Sequence, residues 1–195
     1  MEDVVSNCPR PNELINALDT KGLTPLMMCC IEGFTDGVCV LLSYGIDIDK
    51  GTGYFFRRFE VITLRIHLHL WPRNDRFLAN NDYRTALMWA CINGHTEIVN
   101  ILIDNGANLT RTDRSGTNCL FCAADSDNPS TVKSVLEQNK IPVNLHNPSG
   151  WTVLHKLSAV NDVESSSEMV KILVENGANI NLRDNNGNTP VSSAL

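Results

Sequence analysis

The sequence predicts an all-α repeat solenoid, in which helix-turn-helix pairs stack side by side and β-hairpin loops join them. Two observations lead to this fold class. A short motif close to Gly-x-Thr-Pro-Leu recurs along the 195 residues, and an amphipathic helix pattern follows it in most copies. Helix pairs this short cannot bury their apolar side alone, so neighbouring pairs must pack against each other.

The first motif, called the start motif below, marks the beginning of each unit. Its five copies lie at residues 22–26, 83–87, 116–120, 150–154 and 187–191. The third residues of these copies, from Thr24 to Thr189, are separated by 61, 33, 34 and 37 positions. A threonine can cap a helix and a proline is tolerated in its first turn, so a short helix is predicted after each copy.

The second motif predicts a second helix in each unit. Its clearest copies span residues 94–108 and 168–179. In the first of these copies, the apolar Ile98 and Leu102 recur at helical spacing, while Glu97 and Asp104 fall on the opposite face. The pattern ends at Gly106, where a glycine can adopt the left-handed cap of a helix. The polar stretch that follows predicts a hairpin leading to the next start motif.

These two motifs resemble those of the ankyrin repeat family over roughly residues 12–50 and 79–195. The resemblance implies one ankyrin repeat domain over residues 1–195, and it implies a protein-interaction scaffold or adaptor that is not an enzyme and needs no cofactor. Its predicted repeats span residues 12–50, 79–112, 113–146 and 147–183, followed by a partial repeat at 184–195.

The first interval is too long by 28 residues, which places an insertion at residues 51–78, in a hairpin loop. The insertion contains five arginines against two acidic residues, and it holds six of the twelve aromatic residues of the chain. Apolar and polar residues alternate between Ile62 and Leu70, the pattern of a half-buried strand. Three hypotheses remain open: a partner-binding loop, a loop without a specific role, or sequence that is not native coding sequence, such as a translated intron.

Charge and hydropathy exclude some classes of protein. A net charge of −6 and a pI near 5.3 argue against general nucleic-acid binding, which needs a basic face. An RNA or acidic-surface reader acting through the arginine-rich insertion is a separate hypothesis. Residues 1–10 do not resemble a signal peptide, and no apolar run predicts a membrane span.

The cysteines and histidines are predicted to have structural roles, not catalytic or metal-binding ones. Seven cysteines, an odd number lying mostly in predicted helices, indicate reduced core thiols and a cytoplasmic or nuclear protein. Cys119 and Cys122 have the spacing of a metal-binding pair, but no second pair completes a site. No catalytic or metal-binding residue is predicted. The resemblance implies that His95 and His155 hold loops together by hydrogen bonds.

The resemblance also implies that partners dock on hairpin tips and on the concave surface of the first helices. Transferred to this chain, these positions include the second residue of each start motif, which we call the second position. Trp151 is one of them, and it has two interpretations: an exposed residue central to partner binding, or a residue packed against the neighbouring hairpin. The candidate partner-binding residues are Leu23, Arg84, Arg114, Thr117, Trp151, Asn185 and Asn188.

Both ends of the chain resemble partial repeats. Residues 12–19 resemble the end of a preceding repeat, and the sequence stops inside the first helix of a fifth unit. We therefore expect either a monomer or a fragment of a longer protein. An alternative function follows, that of a targeting or regulatory segment of a larger enzyme or channel whose active domain is absent from this chain.

Overall fold

A computed structural model describes residues 16–19, 21–51, 83–138, 141–159 and 163–192. These residues form eight helices, arranged in chain order as four helix-turn-helix pairs. The helices are α1 (Pro25–Glu32), α2 (Thr35–Ser43), α3 (Ala86–Ile92), α4 (Thr96–Asp104), α5 (Cys119–Ala123), α6 (Pro129–Glu137), α7 (Val153–Ser158) and α8 (Val163–Glu175).

The helices form two layers. The first helices of the pairs pack in the order α1, α3, α5 and α7, and the second helices pack in the order α2, α4, α6 and α8. Each first helix also contacts the second helix of its own pair. This arrangement confirms the predicted all-α repeat solenoid.

Three of the start motifs cap their helices as predicted, and four contribute a buried leucine. The side chains of Thr24, Thr85 and Asn118 accept hydrogen bonds from backbone N–H groups in the first turns of α1, α3 and α5. The leucines of the first four start motifs are buried in the core, each at most 3% exposed: Leu26, Leu87, Leu120 and Leu154. Capping and core packing therefore come from the same five-residue motif.

The first two helix pairs are direct neighbours despite the long interval between them. Helix α1 packs against α3, and a β-carbon placed on Gly51 would lie 3.0 Å from the carbonyl oxygen of Tyr83. The chain therefore leaves and rejoins the described fold at nearly the same point. The predicted insertion at 51–78, apart from Gly51, and its predicted strand lie outside the described residues.

Candidate functional site

Four hairpin tips are each closed by one aspartate or asparagine side chain. The Oδ1 atom of this residue accepts hydrogen bonds of 2.8–3.0 Å from the N–H groups two and four positions later. A glycine with positive φ follows three positions after it. The four tip residues are Asp19, Asp113, Asn147 and Asp184. Each of these side chains therefore fixes the backbone conformation of its own turn.

This tip turn was not predicted, although the sequence contains its signal. An aspartate or asparagine precedes the start-motif glycine by three residues in four units, at Gly22, Gly116, Gly150 and Gly187. The second unit has Tyr83 in place of the glycine. Tyr83 has a φ of 58°, the only positive φ of a residue other than glycine in the described part of the chain. Left-handed backbone is unfavourable for a side chain of this size.

Two second-position residues bind the tip of the following unit. Trp151 Nε1 donates a hydrogen bond of 3.1 Å to Asp184 Oδ2, and Arg84 Nε lies 3.3 Å from Asp113 Oδ2 in an ion pair. The Asp113 side chain is fully buried, so this pair is shielded from solvent on one side. Trp151 and Arg84 thus hold successive units together. For Trp151, this contact corresponds to the second of the two interpretations given above, in which the residue packs against the neighbouring hairpin.

Leu23 is buried, although the second position of the start motif was expected to be exposed. Its side chain is 8% exposed and belongs to the hydrophobic core. The second position faces the neighbouring unit, so an apolar side chain there packs inward instead of meeting solvent. Thr117, at the same position of the third unit, is half-buried.

Three candidate residues remain exposed on the tips: Arg114, Asn185 and Asn188. The amide Nδ2 of Asn185 donates a hydrogen bond of 2.9 Å to the carbonyl oxygen of Pro148, in the preceding tip. The side chain of Asn188 is exposed, although its backbone N–H is held by Asp184. The tips therefore combine a fixed backbone with exposed side chains.

The two histidines connect units as the resemblance implied. Nδ1 of the buried His155 accepts a hydrogen bond from the N–H of Thr152, so Nε2 carries the proton and donates to the carbonyl oxygen of Asn188, 3.1 Å away. Nε2 of His95 lies 3.2 Å from the carbonyl oxygen of Ile31, in the preceding unit. Both imidazoles therefore have structural roles.

The described cysteines are packing residues, as predicted. Five of them are buried free thiols, and Cys39 is exposed. Burial raises the pKa of Cys29 to about 11 and that of Cys119 to about 12. Burial also raises the pKa values of Cys30, Cys91 and Cys122. Thiols protonated to this extent are poor nucleophiles and poor metal ligands.

The described residues contain neither a candidate metal site nor a candidate membrane span. Histidine, cysteine, aspartate and glutamate side chains form no group of three or more there that could hold a metal ion. None of the helices in those ranges has the length and apolar character needed to cross a membrane.

An open cavity of about 460 Å³ lies where the first three units meet. Tyr83 forms part of its wall, and its charged lining residues are three basic and three acidic ones: Lys50, Arg111, Arg114, Asp47, Asp49 and Asp113. Of the seven candidate residues, only Arg114 lines this cavity. The candidate residues therefore do not form one site: some lie on the tips, and others hold the units together.

Comparison with known proteins supports a repeat architecture. A family model described as "Ankyrin repeats (3 copies)" matches residues 63–146 and 127–195. A model described as "Ankyrin repeat" matches residues 21–50.

Several curated proteins are similar to this chain. The phosphocholine transferase AnkX of Legionella pneumophila is 31% identical over 117 residues, which are 58% of this chain and 12% of that protein. The ankyrin repeat protein OPG189 of Variola virus is 31% identical over 166 residues, 80% of this chain and 28% of that protein. The potassium channel AKT2/3 of Arabidopsis thaliana is 26% identical over 181 residues, 87% of this chain and 21% of the channel. The chain thus spans less than a third of the length of each of these relatives.

Proposed function

Because this chain belongs to the ankyrin repeat family, we propose that it is a non-catalytic scaffold or adaptor that binds other proteins through its hairpin tips and concave face. Ankyrin repeats generally mediate protein–protein interaction. The proposal needs no cofactor. Five buried, protonated thiols favour a reducing compartment, the cytoplasm or the nucleus, with the chain acting as a monomer or as part of a longer protein.

One observation supports this function most directly: the tips have fixed backbones and exposed side chains. Asp113 and Asp184 each accept two hydrogen bonds from the backbone of their own turn. Arg114 and Asn185, one residue later in each turn, are exposed. A surface that is ordered before it binds loses less conformational entropy on association, which favours recognition by tips of this kind.

Affinity capture tests the proposal with variants of two exposed tip residues. The full chain carrying Arg114→Ala and Asn188→Ala, singly and together, is compared with the wild type by quantitative mass spectrometry of captured proteins. Lys171→Ala, at an exposed position on the second-helix layer, is the matched control. We expect the wild type and the control to retain the same partner, and the double variant to lose it. Equal capture by all forms would contradict the use of the tips.

A second candidate function is that of a targeting or regulatory segment within a larger enzyme or channel. The relatives favour it, because a phosphocholine transferase and a potassium channel contain similar repeats in 12% and 21% of their lengths. Sequencing of full-length transcripts is the test. A reading frame joining these repeats to a catalytic or channel domain would support this role, and transcripts that encode only the repeats would contradict it.

A further inference from the structure

We infer that Asn186, in the hairpin tip closed by Asp184, is a site of spontaneous chemical modification: its side-chain amide is lost through attack by the backbone nitrogen of Gly187. An asparagine followed by glycine is the sequence most prone to this reaction, because glycine has no β-carbon to shield its nitrogen. The chain contains four such pairs, at residues 93–94, 105–106, 176–177 and 186–187. The structure distinguishes the last pair from the other three, and the reaction there is independent of the proposed function.

The asparagines of the first three pairs follow the ends of helices, and each side chain is held there. In each, Nδ2 donates a hydrogen bond to the carbonyl oxygen four residues earlier, over 2.9 Å for Asn93 and 2.8 Å for Asn105 and Asn176. The reaction requires the side-chain carbonyl carbon to approach the nitrogen of the next residue. A side chain bonded back to the preceding helical turn must first break that bond, so these three asparagines are protected.

The side chain of Asn186 lacks such a bond. It is exposed, and it forms no hydrogen bond with any residue that the structure describes. The N–H of Gly187 does donate a hydrogen bond of 2.9 Å, to the carbonyl oxygen of Asp184. The glycines of the other three pairs donate similar bonds, of 3.0–3.1 Å, so the attacking nitrogen does not distinguish the pairs. The difference therefore lies in the freedom of the asparagine side chain.

The reaction consumes one water molecule and releases one ammonia. After local opening of the turn, the Gly187 nitrogen gives its proton to solvent base and attacks Cγ of Asn186. The bond between this nitrogen and Cγ forms, the bond between Cγ and Nδ2 breaks, and Nδ2 leaves as ammonia with a proton from solvent. Water then opens the resulting ring. Opening at the side-chain carbonyl gives aspartate, opening at the main-chain carbonyl gives isoaspartate, and nothing is oxidised or reduced.

The isoaspartate product opens the tip. Its main chain continues through Cγ, which adds one carbon atom to the backbone between Asp184 and Asn188. Oδ1 of Asp184 accepts bonds of 2.9 Å from the N–H of Asn186 and 2.8 Å from that of Asn188, an arrangement that the longer backbone disrupts. The carbonyl oxygen of Asn188 also accepts the hydrogen bond from Nε2 of His155. Modification therefore loosens the contact with the preceding unit as well as the turn.

Peptide mass spectrometry of the full chain, incubated in mildly alkaline buffer, tests this inference. In the folded protein we expect Asn186 to become an acid first, while Asn93, Asn105 and Asn176 remain amides. In urea, where the helix-end hydrogen bonds are absent, all four should convert at similar rates. Asn186→Gln is the matched control: glutamine would need a larger ring, so the folded variant should show no early conversion at this position.

Conversion of a helix-end asparagine before Asn186 in the folded protein would overturn the inference, and so would the same order of conversion in urea. Ion-exchange chromatography then isolates the converted protein, and electron-transfer fragmentation identifies isoaspartate. The isoaspartate form should melt at a lower temperature than freshly prepared Asn186→Asp, which has the same charge and an unaltered backbone. Equal melting temperatures would refute the opening of the tip.

Discussion

The indole Nε1 of Trp151 donates a hydrogen bond of 3.1 Å to Oδ2 of Asp184, in the hairpin tip of the next unit. The other oxygen of this carboxylate holds the backbone of its own tip. One aspartate therefore serves two purposes, closing its turn and joining it to the preceding unit. Asp113 does the same with Arg84.

Trp151→Phe should destabilise the protein, because it removes the donor to Asp184 while keeping an aromatic ring beside His155. We expect the free energy of unfolding in urea to fall by about 1–2 kcal/mol, as for a hydrogen bond to a charged acceptor. Thr117→Val, at the same position of another unit, is the control and should change stability little. Equal effects of the two substitutions would show that the hydrogen bond contributes nothing specific.

Asp184 should make stability depend on pH in acid. Burial raises the pKa of this carboxyl, but hydrogen bonds from the backbone N–H groups of Asn188 and Asn186 and from Trp151 outweigh burial and lower it below its ordinary value. A folded pKa below the unfolded one stabilises the protein above the unfolded value, and this contribution is lost as pH falls through the folded pKa.

The stability of the wild type should therefore decrease below about pH 4, the ordinary range of an aspartate. In Asp184→Asn the same decrease should be smaller, because the amide does not titrate. Urea denaturation at intervals from pH 7 to pH 3 measures both curves. Parallel curves for the two proteins would rule out a contribution from this carboxyl.

Tyr83→Gly should stabilise the protein. Its φ of 58° is unfavourable for tyrosine and costs nothing for glycine. After the entropy that glycine adds to the unfolded chain, we expect a net gain of about 0.5–1 kcal/mol in urea denaturation. Gly116→Ala is the opposite control: φ is 76° there, and the added β-carbon would lie 2.4 Å from Pro148 Cδ. The Gly116→Ala variant should therefore be less stable than the wild type. A Tyr83→Gly variant less stable than the wild type would contradict the assignment of backbone strain to Tyr83.

Thiol labelling should separate Cys39 from the five buried cysteines. In a Cys8→Ser background, which removes the cysteine outside the described residues, we expect one thiol to react rapidly with Ellman's reagent at pH 8. The other five should react only after urea is added, because burial blocks access and raises their pKa values. Rapid reaction of several thiols in the native protein would show that the first-helix layer is open.

Deletion of residues 51–78 should leave the fold intact. Helix α1 already packs on α3, and the carbonyl oxygen of Tyr83 approaches Gly51. Shortening the connection should change the free energy of unfolding only slightly, because loop-closure entropy grows slowly with length. We expect the shortened protein to be at least as stable as the parent and more soluble, as measured by thermal melts and light scattering. Earlier unfolding or stronger aggregation would indicate that the segment is part of the core.

The sequence predicted the helix pairs because their signals are local. Thr24 and Leu26 carry capping and core packing within three residues, so the motif specifies its helix without its neighbours. The roles of Arg84 and Trp151 could not be found in this way, because each depends on an aspartate 29 or 33 residues further along the chain. Leu23 was misplaced for the same reason: only stacking shows that its position faces another unit.

The hydrogen bond from Trp151 also affects the order in which the repeat units unfold. The turn at Asp184 depends on the fourth unit through Trp151, through His155 and through the contact between Asn185 and Pro148. In a linear array each unit is stabilised mainly by its neighbours. Unfolding of the fourth unit therefore releases the following turn as well, so the two should exchange their amide hydrogens with solvent as one cooperative block.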